Sequence, residues 1–190
     1  MISKIPFTES HGNAKSDDLS IRTRLRVCQE FMQSFIASQN GSKLRILDIG
    51  DKNYISENLT IPNTWVFQTD KSDFNESVKA VFAQFDFVTC FEVLEHVMNA
   101  AVFINEIKRF APTIFLSTPK LGVIPLFFFD EHFTEYKVPQ LKTLFSYCDL
   151  EVIREKVFCP YPWWFAFTGI RPLLRVLLQR CVVFELQRSQ

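Results

Sequence analysis

The sequence predicts an α/β fold, a doubly wound and mostly parallel sheet closed by an antiparallel last strand, on three observations. Short runs rich in branched and aromatic residues alternate with segments of helical periodicity, the order that builds a parallel sheet with helices on its faces. Acids and histidines cluster just after the strand-like runs, where open parallel sheets hold their ligands. The 190 residues suffice for one core of ordinary size and not for two.

The elements follow in order. Positions 1 to 16 are polar and aperiodic and read as a flexible leader containing His11, which leaves 17 to 190 as a single domain. From Asp17, the residues Ile21, Leu25, Cys28, Met32 and Phe35 recur every three or four positions, one apolar helix face that stops near Asn40-Gly41. Leu44 to Ile49 (LRILDI), ending at Gly50, reads as a buried strand. So do Thr64 to Thr69 (TWVFQT), Phe85 to Phe91 (FDFVTCF) and Thr113 to Ser117 (TIFLS). Glu92 to Phe110 has helical spacing at Val93, Val97, Ile104, Ile107 and Phe110, with a break expected at Asn99, a good helix cap. Past Pro139, the spacing of Leu141, Leu144, Phe145 and Cys148 predicts a helix, and Glu151 to Phe158 alternates like a strand. Pro172 to Gln179 reads as a short helix with proline in its first turn, and Cys181 to Leu186 as the antiparallel last strand.

Composition bounds the partners. Lys plus Arg and Asp plus Glu each number 21, and zero net charge argues against broad electrostatic attraction to nucleic acid or anionic lipid. Five scattered cysteines, Cys28, Cys90, Cys148, Cys159 and Cys181, make no C-x-x-C pair, so neither a disulfide framework nor a structural zinc site is expected. With no secretory signal and no apolar window of about 18 residues, the reading is a soluble protein of the reducing cytoplasm. Val157 to Ile170 is the longest approach to a membrane segment, 14 uncharged residues interrupted by Pro160 and Pro162. The chain has only five glycines, few for a fold that cradles phosphates or nucleotides.

The residues after the predicted strands are Asp48, Gly50 and Asp51, then Asp70, then Glu92, Glu95 and His96, then Thr118 and Lys120, with His132 downstream. ILDIG, Asp70 at the end of the second strand, FDFVTCFEVLEHV, IFLSTPK and EHFTEY, in that order over about residues 40 to 158, resemble the class I S-adenosylmethionine-dependent methyltransferases. The chain is most similar to the branch with ubiquinone-pathway O-methyltransferases (type 11) and the small-RNA 2′-O-methyltransferases. The resemblance implies a Rossmann-like fold and S-adenosylmethionine as cofactor, with S-adenosylhomocysteine as product. By position it assigns Asp48, Gly50 and Asp51 to the first cofactor loop, Asp70 to the ribose hydroxyls, and Phe91 with Glu92 to the cofactor wall. A carboxylate at Asp70 can accept both hydrogen bonds of a vicinal diol. The sequence departs from the family twice. Asp51-Lys52-Asn53-Tyr54 follows Gly50 where the family has two further glycines, and positions 71 to 84 are too few for its usual helix and strand, leaving Asp73 as the candidate adenine contact.

Glu92-x-x-Glu95-His96 supports three readings. The small-RNA branch holds a divalent metal with this spacing and a later histidine, here His132; two carboxylates and two imidazoles could then lower a hydroxyl's pKa. Alternatively His96 or His132, with Glu95, serves as a general base without metal. In the third, the acids only favour a helix N-terminus and His96 bonds a loop.

Eleven of the 21 phenylalanines lie between Phe82 and Phe133 and are mostly core, although Phe127-Phe128-Phe129 can spare one ring for a substrate pocket. Tyr161, Trp163, Trp164 and Phe165, with Arg171 and Arg175 one helical turn apart, read as a cover over the last strands, or as a lid or weak peripheral membrane contact. The expectation is methyl transfer to a hydroxyl of a small, lipid-linked or glycan-linked acceptor. Two alternatives stand beside it: a methyltransferase-like scaffold module without cofactor, and a metal-assisted 2′-O-methyltransferase.

Overall fold

The computed structural model describes residues 16–39, 44–50, 64–67, 84–122 and 132–189. In chain order these form α1 (Ser16–Ser38), β1 (Ile46–Ile49), β2 (Thr64–Phe67), β3 (Phe87–Phe91), α2 (Ala100–Ile107), β4 (Thr113–Lys120), α3 (Val138–Tyr147), β5 (Leu150–Phe158), α4 (Ile170–Leu178) and β6 (Arg180–Arg188). Single 3-10 segments, Leu94–His96 and Trp163–Thr168, follow β3 and precede α4. The six strands form one sheet in the order β2-β1-β3-β4-β6-β5. The first four are parallel, and β6 runs antiparallel between β4 and β5. Strand order reverses at β1, so the crevice between β1 and β3 at the carboxyl edge is the switch point where such sheets bind ligands.

The side-chain period of two sorts the core into two layers. Ile46, Phe87, Phe115, Cys181 and Val183 face α1, against Leu25, Cys28, Phe31 and Met32. Phe35, Phe87 and Phe115 meet edge to face with ring centroids 5.3 to 5.5 Å apart. On the other face Leu47, Val88, Ile114, Leu116, Val182 and Phe184 pack under α2 and α3, where Phe103, Ile104, Leu141 and Phe145 close the layer. β1 and β3 are buried at every position, as expected of strands covered on both sides.

The break expected at Asn99 is present: α2 starts after Asn99, whose side chain accepts from Val102 N–H at 3.2 Å, while the stretch between β3 and that cap makes only a single 3-10 turn and extends at Val97. One boundary differs from the sequence reading for a physical reason. β4 runs past Ser117 through Pro119 to Lys120, because β6 pairs with it along its whole length, from Thr113 opposite Gln187 to Lys120 opposite Arg180. All five cysteines are free thiols, four of them buried. Among the described residues, no helix is long and apolar enough to cross a membrane.

Candidate functional site

The site is built where β1, β3 and β4 end. Gly50 closes β1 at φ 137°, a backbone conformation that side chains disfavour, and a Cβ there would stand 2.8 Å from Val93 Cγ2. Val93 follows β3, so the turns after β1 and β3 touch at the switch point in a way that requires glycine. Beneath them Asp48 is 4% exposed and accepts a 2.6 Å hydrogen bond from Thr89 Oγ1, which braces β1 against β3. Phe91 is 2% exposed with its ring in the α1-facing core.

Glu92 is the hinge of the arrangement. Its φ is 55°, the left-handed region that non-glycine residues seldom adopt, and its N–H donates to Ser117 O at 2.9 Å. Its carboxylate accepts from Ser117 Oγ at 2.8 Å and from Arg24 Nη1 at 2.5 Å. Arg24, held on α1 by Ser20, keeps its proton more tightly than usual: burial alone would loosen it, but Glu92 and further negative groups outweigh that. Residues 68 positions apart thus lock α1 to the carboxyl edge. The side chain of Glu92 is engaged in this lock and that of Phe91 in the core.

Glu95 sits in the 3-10 turn at 1% exposure and accepts from Thr118 Oγ1 at 3.0 Å. Burial, reinforced by the Glu92 charge, pushes its carboxyl well above the usual carboxylate range. The segment carrying His132 is fastened on both sides. Phe133 N–H donates to Glu95 O at 2.8 Å, and Leu121 N–H at the end of β4 donates to Tyr136 O at 2.9 Å. His132 Nδ1 lies 3.0 Å from Glu135 Oε1, both side chains nearly buried, and its ring meets that of His96 edge to face at 5.0 Å. Glu95, His96 and His132 present ligand atoms all within 4.8 Å of one another.

The structure therefore brings together Gly50, Glu92, Glu95, His96 and His132, which the sequence spreads over positions 50 to 132. Asp51 and Asp70, with Lys52, Asn53, Tyr54, Asp73 and Phe127 to Phe129, lie outside the described residues. Sequence reasoning missed Arg24, Ser117 and Glu135. The last had a signal, an acid three residues after His132; Arg24 had none, since its partner is distant in sequence.

No protein-family model matches the chain, and no curated protein does. Solved structures do. A magnesium protoporphyrin IX methyltransferase from Synechocystis, crystallised with S-adenosylhomocysteine, superposes at TM-score 0.57 and 14% identity, over 95% of this chain and 90% of that one. The fold is that of the class I methyltransferases. A putative sarcosine dimethylglycine methyltransferase from Galdieria sulphuraria gives TM-score 0.60 at 12% identity, covering 87% of this chain and 86% of that one. An O-methyltransferase from a polyketide synthase of Brevibacillus brevis, also bound to S-adenosylhomocysteine, gives 0.54 at 14%, covering 90% and 72%. At such identities the likeness extends to the methyltransferase fold, and the chemistry has to be argued from the side chains.

Proposed function

We propose that the chain is an S-adenosylmethionine-dependent O-methyltransferase acting on a hydroxyl of a small or lipid-linked acceptor. The observation that carries this is the histidine-glutamate pair, His132 with Glu135, set beside Glu95 and His96 at the carboxyl edge of the sheet, where β3 and β4 end. The residues present fit the cofactor in one respect that does not depend on family: Gly50 leaves the end of β1 without a side chain, at the switch point. Gly50 and Asp51, with Asp70 for the ribose, would hold it. When bound, S-adenosylmethionine supplies a methyl group activated by a positive sulfur.

The chain's own residues supply the rest. Glu135 orients the His132 ring through Nδ1–H, which makes Nε2 the basic atom. A hydroxyl placed at Nε2 gives up its proton there as its oxygen takes the methyl, and Glu135 stabilises the imidazolium that results. A positioned base contributes about 10² to 10⁴ in rate, and orientation supplies more. Glu95 holds Thr118 through its carboxyl and the His132 segment through its backbone carbonyl. The test is a crystal soaked with S-adenosylhomocysteine: density between the ends of β1 and β3 is expected. Density elsewhere, or none in a folded and saturated crystal, overturns the reading in favour of a scaffold module.

A second reading adds a divalent cation, on the three converging donors of Glu95, His96 and His132. The contact of Glu135 on His132 Nδ1 is the kind of outer support that metal-bound histidines have. The fit is partial, because Glu92, the remaining donor of that pattern, is bound to Arg24 and Ser117. Titration of the metal-free protein with Mn2+ separates the readings: binding lost in His96→Ala and His132→Ala supports the metal, and no binding removes it.

A further inference from the structure

We propose that the segment between β5 and β6 is a docking surface for an anionic lipid bilayer, and that it presents the carboxyl edge of the sheet to that bilayer. This stands independently of methyl transfer. Neither the 3-10 segment Trp163–Thr168 nor α4 buries a single residue. Half of the large hydrophobic side chains exposed among the described residues fall between Trp163 and Leu177, including Trp163 at 73%, Phe167 at 81% and Ile170 at 80%. Within α4, Ile170, Leu173, Leu174 and Leu177 occupy positions i, i+3, i+4 and i+7, one continuous stripe, and all are exposed. A stripe of this width normally faces a core. Here it has none.

The segment is braced within itself. Tyr161 is buried, stacks on Phe165 at 4.9 Å and accepts from Arg175 Nη1 at 3.2 Å. Arg180 donates to the carbonyls of Val176 and Gln179 at the end of α4, at 2.8 and 2.7 Å. These contacts hold the 3-10 segment and α4 to each other and leave the apolar stripe on the outside.

Charge selects the occupant. From Lys156 to Phe184 the chain carries Lys156, Arg171, Arg175 and Arg180 and no acidic residue, in a molecule whose overall charge is zero. Arg171 is exposed, and the helical period sets Arg171 and Arg175 to one flank of the leucine stripe. An outward apolar stripe with the exposed Arg171 on its flank and tryptophans beside it is the composition of a helix that lies in a membrane interface beside anionic headgroups. A second copy of this chain would offer the stripe another stripe but would set arginine against arginine.

Topology gives the surface its use. β5 and β4 both run antiparallel to β6, so β5 points the same way as β4, and its connection to β6 emerges at the carboxyl edge. Arg180 opens β6 directly opposite Lys120, two residues beyond Thr118 of the candidate site. A bilayer seated on α4 therefore lies at the edge where the site opens.

The experiment is flotation of the full chain with large unilamellar vesicles, of phosphatidylcholine alone or mixed with phosphatidylglycerol, with no cofactor present. Binding to the mixed vesicles and weakening with salt are expected. Arg171→Glu should lower the partition coefficient about fivefold or more, since each cationic group near an anionic surface contributes on the order of a factor of five. The pair Leu173→Glu and Leu177→Glu should lower it at least about tenfold. As these side chains are exposed, the variants should melt with wild type. No binding of the folded chain to mixed vesicles overturns the proposal, as does unchanged binding by the leucine variant. Dimerisation that the leucine variant abolishes, without vesicle binding, overturns it in favour of a second copy.

Discussion

Replacing Gly50 by alanine strikes the point where the turns after β1 and β3 meet, and its cost follows from two separable terms. At φ 137° a side chain occupies backbone space that is nearly restricted to glycine, at about 1 to 3 kcal/mol. The new Cβ would also stand 2.8 Å from Val93 Cγ2, well inside contact distance, and relief of such crowding costs about 1 to 3 kcal/mol more. Together these are roughly 2 to 6 kcal/mol, a large part of the 5 to 15 kcal/mol that holds an ordinary domain together. Tm should fall by about 5 to 20 °C for a chain of this size. Val93→Ala alone should cost about 1.5 to 2.5 kcal/mol by emptying a buried site. In the double variant the methyl group introduced by Gly50→Ala enters the space that Val93 leaves, so the two costs should not add, and a coupling of about 1 to 3 kcal/mol should appear. Urea unfolding of the four proteins in the cycle measures it. Gly50→Ala melting with wild type, or a cycle that adds to zero coupling, would refute the claim that Gly50 is held by this contact.

Three further outcomes are expected. Arg24→Met should destabilise by about 2 to 3 kcal/mol in urea melts, because it strands the mostly buried Glu92 carboxylate, and adding Glu92→Gln should recover more than half of the loss. Glu95→Gln mimics the protonated acid. Because the folded carboxyl lies above its ordinary value of 4.5, wild-type stability is full below that value and is lost as pH rises through the folded pKa; the variant should be the more stable protein near pH 8, and the gap should close toward pH 4. A gap that widens on acidification would reverse the assignment. Asn99→Ala removes the cap of α2 and should cost about 1 kcal/mol in thermal melts, with the site residues undisturbed.

The fold was legible because its signals are local. ILDI and FVTCF are short runs of branched and aromatic residues, and both are buried strands; Asn99 announces a helix start that the structure uses. What the sequence obscured depends on contacts between distant segments. Pro119 looks like the end of a strand, but β6 supplies pairing on through Lys120. Glu92 reads as a ligand acid because it directly follows β3, and only the arrival of Arg24 from α1 shows its carboxylate occupied. His132 was visible as a histidine after β4, whereas its role is sharpened by Glu135 and by backbone bonds to Glu95 and Leu121 that no spacing encodes. The helix after Pro172 was visible in the sequence, but its apolar stripe was not read there, and the aromatic segment before it reads as a cover over the last strands, a lid or a weak membrane contact; exposure is a property of the assembled chain.

The account rests on the carboxyl edge between β1 and β3 holding an adenosyl cofactor, and calorimetric titration of the full chain with S-adenosylhomocysteine tests this most directly. Saturable one-to-one binding, lost in Gly50→Ala under conditions where that variant is still folded, is the predicted result. A folded wild-type chain that takes up no heat at millimolar ligand would contradict it.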